Sequence, residues 1–189
     1  MKLHTIACGI IAAPALFAGE SGRLTQELWT NLPGFNLSDL TTSSRFYEAA
    51  DSVTSVDGAL SMTASKSGAR LRGYITIPAD GDYQFAVAGD DAGELKIAID
   101  GNKFHAEAVS SFDSVTGVQN FTMKVSQLSS PISLIAGKRI FVEMLVKGGG
   151  GTEGIAMGWI SPGSTEIVQV PAEVLESYVF TEDSNDADG

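Results

Sequence analysis

Between Tyr83 and Ile99 apolar residues alternate with other residues in two separate runs, Tyr83-Gln84-Phe85-Ala86-Val87 and Leu95-Lys96-Ile97-Ala98-Ile99. Successive side chains of a strand point to opposite faces, so this period of two predicts two half-buried strands. Asp100-Gly101 or Gly101-Asn102 then supplies the positive-φ residues of a tight hairpin turn. Further short strands are predicted at 70–77, 121–125, 132–134, 139–146, 155–160 and 167–170. Helical patterns are confined to Ser38-Asp39-Leu40 and to Pro171-Ala172-Glu173-Val174-Leu175. With 21 glycines against 6 prolines to turn the chain, many short strands imply an all-β fold, a sandwich or a barrel.

The 189 residues suffice for one such domain with short ends, because a chain of about 150 residues buries roughly 70% of its unfolded surface. The folded body is expected at 22–178. Residues 1–18 read as a secretory signal peptide: Lys2 precedes an apolar run from Ile6 to Phe17, broken by Pro14, with cleavage after Ala15 or Ala18. Cys8 lies inside that run, so the mature chain has no disulfide and no thiol chemistry. No transmembrane segment is expected after the leader, and the protein is expected to be secreted or held at the cell surface. Residues 179–189, with Glu182, Asp183, Asp186 and Asp188 and nothing apolar beyond Phe180 larger than alanine, read as an acidic flexible tail.

A formal net charge of -11 argues against a nucleic-acid partner, which needs clustered Lys and Arg to displace counterions. It argues likewise against anionic membrane surfaces, and it is compatible with cations or with neutral ligands such as sugars. Enzyme hypotheses fail mainly by attrition and no enzyme is expected, although abundant acids leave a carboxylate-pair glycosidase formally open, with nothing in the sequence to pair two of them across a cleft. His105 is the single histidine after the leader, and no Gly-x-Ser-x-Gly elbow occurs. Gly149-Gly150-Gly151-Thr152-Glu153-Gly154 has the spacing of a dinucleotide fingerprint. The sequence after it, Ile155-Ala156-Met157-Gly158-Trp159, is strand-like and provides no helix N-terminus for a pyrophosphate.

The acidic doublet Asp90-Asp91 stands among small residues, with Gly89 before it and Ala92-Gly93 after. Adjacent carboxylates of an extended chain point apart, so the backbone must bend sharply, as at a cis peptide, for both to face one point. Two like charges about 4 Å apart repel by about 1 to 4 kcal/mol depending on exposure, which a divalent cation offsets. Hard oxygen ligands select Ca2+, and the loop 148–154 offers backbone carbonyls together with Glu153. The competing reading is two solvated aspartates in a turn, where Asp is common.

Arg70-Leu71-Arg72-Gly73-Tyr74-Ile75, then Pro78, Gly81-Asp82-Tyr83-Gln84-Phe85, Asp90-Asp91 and Glu94-Leu95, resembles the central signature of PA14 domains. So does the block from Ser130-Pro131 through Gly137-Lys138, Glu143, Lys147 and the glycine loop to Ala156-Met157-Gly158-Trp159. Glu27-Leu28-Trp29, Leu32-Pro33-Gly34 and Ser38-Asp39-Leu40-Thr41 are similar to the family's start. The resemblance implies an antiparallel β-sandwich and a carbohydrate-binding or accessory module. In the family's lectin members a cis-linked aspartate pair holds calcium, which binds sugar hydroxyls. Carried over residue by residue, it makes Asp90, Asp91 and Glu153 the metal ligands and Gly150, Gly151 and Thr152 the ligand-binding loop. The sequence departs from the family at Thr152-Glu153-Gly154, where bacterial members place Asp or Asn after the glycines.

Trp29, Tyr74 and Phe85 are expected in the core, while Trp159 stands between core and sugar platform. Arg70 and Arg72 share one strand face and are expected to pair with acids of the fold. The expected function is a calcium-assisted carbohydrate-binding module, with a structural or protein-binding spacer as the alternative.

Overall fold

The computed structural model describes residues 19–63, 66–150 and 153–180, apart from the side chains of Met62, Thr63 and Glu153. Residues 1–18, where a leader is expected and Cys8 lies, and the acidic residues from 181 onward lie outside the described residues. Among the described residues no helix is long and apolar enough to cross a membrane.

The strands in chain order are β1 (Arg23–Trp29), β2 (Ser52–Asp57), β3 (Leu60–Thr63), β4 (Gly68–Thr76), β5 (Gly81–Asp90), β6 (Ala92–Ala98), β7 (Glu107–Phe112), β8 (Ile132–Leu134), β9 (Arg139–Lys147), β10 (Glu153–Ile160), β11 (Val168–Gln169) and β12 (Leu175–Ser177). One short helix, α1 (Leu37–Thr41), leads into a 3-10 turn over Ser44–Tyr47. A seven-stranded sheet runs β2-β1-β4-β9-β6-β7, with β12 beside β4, and a five-stranded sheet runs β11-β10-β5-β8, with β3 beside β10. Every pairing is antiparallel. The expectation of an all-β antiparallel sandwich holds.

Alternation builds the core. Ile140, Val142, Met144 and Val146 of β9 face Tyr83, Phe85 and Val87 of β5 and Ile155, Met157 and Trp159 of β10 across the two sheets. Trp159 resolves to the core: it is 3% exposed, and its ring lies 5.3 Å from that of Tyr83. Trp29 and Phe85 are buried as expected, while Tyr74 is half-buried at the edge of a small aromatic cluster with Phe141 and Tyr178.

The other face of the seven-stranded sheet is also covered. The segment around α1 packs Leu40 and Leu32 onto Trp29, and Tyr178 covers Phe141. Strand β1 is therefore buried on both sides despite its polar sequence, which hides it from a search for alternation. Its polar groups are satisfied individually: the Thr25 hydroxyl donates to the Tyr178 carbonyl at 2.7 Å, and the Ser61 hydroxyl donates to Gln26 Oε1.

Two local expectations fail. Residues 121–125 form a turn, not a strand, because Phe121 anchors the segment against Ala86, Ala88 and Ala156 while Met123 and Val125 are exposed. Gly101 does adopt a positive φ of 79°, but β6 ends at Ala98, and a 3-10 turn over Lys103–His105 replaces the tight hairpin. His105 is exposed there, with Nδ1 2.6 Å from Asp100 Oδ2.

Candidate functional site

The chain crosses between the sheets at one end of the sandwich twice. It leaves the five-stranded sheet at Asp90 and enters the seven-stranded sheet at Ala92, and it makes the return crossing from Lys147 of β9 to Glu153 of β10. Pairing fixes these corners side by side, since Gly154 opposes Asp90 and Lys147 opposes Ala92. A cis peptide bond joins Asp90 and Asp91.

Backbone donors then hold the acids in place. The Asp91 amide donates to the Lys147 carbonyl at 3.1 Å, and the Gly149 amide donates to Asp91 Oδ2 at 2.9 Å. Oδ1 of Asp90 is shielded from solvent. Gly89 closes the corner from behind: a Cβ there would sit 2.3 Å from the Gly154 carbonyl oxygen and 2.6 Å from the Phe112 ring. Thr116 clamps the same strand end, its hydroxyl accepting the Gly89 amide at 3.0 Å.

Two residues that sequence reasoning did not assign to the site complete it. Lys147 is fully buried, and its ammonium donates to the Gly34 carbonyl at 2.9 Å and the Gly148 carbonyl at 2.5 Å, so it ties the 34–36 loop to the glycine loop. Phe35, 61% exposed, lies directly against Gly149, where a Cβ would meet its ring at 2.1 Å. Asp39 sets the angle of that loop, Oδ2 accepting the Phe35 and Asn36 amides at 3.0 and 2.9 Å. The Lys147–Gly34 and Phe35–Gly149 contacts span more than a hundred positions in sequence, and no local motif announces them.

Beside the Asp pair a hollow of about 430 Å³ opens between Asn36, Ser38, Gly93, Ser111 and Asp113. A hydrogen bond from Lys124 holds the Asp113 carboxyl below the usual carboxylate range, so this rim stays anionic. Gly150 is exposed at the lip of the glycine loop. Gly151 and Thr152 lie outside the described residues, as does the side chain of Glu153, whose backbone opens β10 opposite Thr63.

Among the described residues no three His, Cys, Asp or Glu side chains gather closely enough to hold a metal. The oxygens this corner offers, the Asp90 and Asp91 carboxylates and the carbonyls of the glycine loop whose Gly149 amide donates to Asp91, are all hard donors. That set fits calcium in kind, with the rest of its roughly six to eight ligands to come from carbonyls, water or a bound hydroxyl.

Arg70 and Arg72 pair with Glu27, Arg70 in a two-pronged contact at 2.8 and 2.9 Å and Arg72 at 2.8 Å, which meets the expectation that acids of the fold neutralise them.

Comparison with known proteins revises one expectation and extends another. The expected absence of enzyme character is corrected by the mouse N-acetyl-beta-glucosaminyl-glycoprotein 4-beta-N-acetylgalactosaminyltransferase 1, an enzyme 36% identical over 98 residues, or 49% of this chain. The chain spans 9% of that relative's length. Among solved structures, the PA14 sugar-binding domain from an RTX adhesin superposes with a TM-score of 0.59 at 14% identity, covering 84% of this chain and 100% of the other. The Epithelial Adhesin 6 A domain from Candida glabrata, in complex with Galβ1-3GlcNAc, superposes with a TM-score of 0.57 at 11% identity, covering 90% and 92%. These likenesses establish the fold. The family model described as PA14 domain matches residues 22–172, and the chain belongs to the PA14 domain family.

Proposed function

We propose that this chain is a carbohydrate-binding module whose site is the double corner at Asp90-Asp91, with calcium held by the two carboxylates. The observation that carries this reading is the Gly149 amide on Asp91 Oδ2, which joins the acidic corner to the glycine loop across 58 positions of sequence. Asp90 and Asp91 would hold the ion, with Glu153 and the loop residues Gly150, Gly151 and Thr152 completing the ligand-facing side. Bound calcium supplies a positive centre that polarises and orients sugar hydroxyls. Phe35 offers an exposed ring beside that centre, suited to the apolar face of a pyranose. The hollow lined by Asn36, Ser111 and Asp113 provides polar groups for flanking hydroxyls.

The leader-like residues 1–18 and the adhesin neighbours support action outside the cytoplasm, in secreted form or at a cell surface.

Calcium titration by calorimetry, on the protein and on Asp91→Ala, tests the reading. Extracellular calcium modules bind at about 10⁻⁴ to 10⁻³ M, so the titration extends into the millimolar range. Saturable heat that disappears in the variant, followed by calcium-dependent retention on a glycan array, is the expected result. Equal heats from both proteins with no glycan retained would overturn it and leave a spacer or protein-binding role, whereas glycan binding indifferent to chelator would overturn the calcium site alone.

A further inference from the structure

Phe35 is seated with little packing to hold it. Its ring is 61% exposed, and a hollow of about 260 Å³ opens beside it between Asn31, Pro33 and Gly149. The ring nevertheless lies so close on Gly149 that a Cβ there would meet it at 2.1 Å. Apolar burial of the ring is too slight to fix that contact, so the loop that carries it must be held by other means.

Lys147 is bonded to all three parts of the binding face. Its backbone carbonyl accepts the Asp91 amide at 3.1 Å. Its ammonium donates to the Gly34 carbonyl at 2.9 Å and to the Gly148 carbonyl at 2.5 Å. The next residue of each loop closes the circuit: Phe35 rests on Gly149, and the Gly149 amide donates to Asp91 Oδ2 at 2.9 Å. Asp39 Oδ2 steadies the first loop by accepting the Phe35 and Asn36 amides.

Stability gives no reason for a charge at this position. Lys147 is fully buried, and taking an ammonium out of water is costly even when it is well bonded, whereas an apolar side chain of similar length would fill the same space without that cost. An ammonium carries three donors that can be aimed at separate acceptors, which a methyl group cannot replace. What the charge supplies is direction, because it fixes where two loops stand relative to the corner.

We propose that Lys147 is a positioning residue of the binding face: it seats Phe35 on Gly149 and, through the Gly149–Asp91 contact, makes the ring respond to a cation held at the corner. The seat is a property of the chain alone, while the response rests on the corner holding calcium.

Nuclear Overhauser spectra in chelator test the seat. Contact between the Phe35 ring and the Gly149 α-protons is expected in the protein and lost in Lys147→Met, whose unbranched side chain keeps the space filled. Contact that persists in the variant overturns the proposal. Should the variant not fold, the unaltered protein still decides: the Lys147 ammonium protons are expected to be protected from exchange, and rapid exchange overturns the proposal.

Calcium alone, titrated into the millimolar range, tests the response. The Gly149, Phe35 and Asn36 amides are expected to shift with one midpoint, and in Lys147→Met the Phe35 shift is expected to fall several-fold while that of Gly149 remains. Shifts confined to Gly149 in the unaltered protein, or a Phe35 shift of equal size in the variant, overturn the response. Absence of saturable calcium heat in calorimetry overturns the calcium reading of the corner and the response with it, and the contact measured in chelator then decides the seat by itself.

Discussion

At the Asp90-Asp91 corner, carboxylates are set among backbone amides, carbonyls and glycines, and the nearby ammonium of Lys147 donates to carbonyls of the two loops. On the outer face of the seven-stranded sheet, carboxylates meet guanidiniums directly, and Arg70 is capped by the rings of Trp29 and Phe46. The first region owes its geometry to where the backbone crosses between sheets. The second owes it to side chains that neutralise one another under an aromatic cover. The difference predicts that damage to the outer face registers mainly in stability and damage to the corner mainly in binding.

The largest effect should come from Glu27→Ala. It leaves two buried guanidiniums without their shared carboxylate, and breaking such a pair costs about 3–5 kcal/mol. Urea denaturation followed by tryptophan fluorescence measures it, and a loss below about 1 kcal/mol would break the comparison. Gly89→Ala should follow, at about 1–3 kcal/mol, because the new Cβ collides with the Gly154 carbonyl and the Phe112 ring. It should also reduce glycan affinity by displacing Asp90, the one case in which the corner affects both stability and binding.

Phe35→Ala should leave stability within about 0.5 kcal/mol, since the ring is largely exposed, yet lower glycan affinity several-fold. Parallel melts and array titrations separate the two effects.

Acid should have the smallest effect. The Thr30 amide and hydroxyl, with Arg45 beside them, hold the Asp51 carboxyl below its ordinary value, and His105 does the same for Asp100. A lowered folded-state value means that the unfolded chain binds the proton first. The contribution is therefore complete above the ordinary carboxylate value of about 4 and is lost as pH falls through the folded value. Melting temperatures should hold from neutral pH down to about 5 and fall below about 4, and Asp51→Asn should blunt that fall.

Strands β4, β5, β6, β9 and β10 were legible because one or both faces carry regularly spaced apolar residues against the core. Strand β2 was not, since most of Ser52–Asp57 is exposed and nothing in its composition demands a partner; its place is set by the ladder from Arg23↔Asp57 to Leu28↔Ser52. Phe121–Val125 misled in the other direction, its apolar residues serving one anchor and an exposed turn rather than a ladder. At the site, the Asp doublet among small residues stood out locally. Phe35, Lys147 and Thr116 did not, because each acts through a partner far away in sequence.

By itself, then, the sequence determined the all-β class and the acidic doublet, because side-chain period, turn residues and a charged doublet are local properties, while the antiparallel sandwich was implied by the resemblance to PA14 domains. Only the tertiary structure decided that two crossings between sheets share one end, that Phe35 rests on Gly149, and that Glu27 serves two arginines from a neighbouring strand. Those facts depend on which strands become neighbours, and strand order is set by the packing of whole faces rather than by any short stretch of chain.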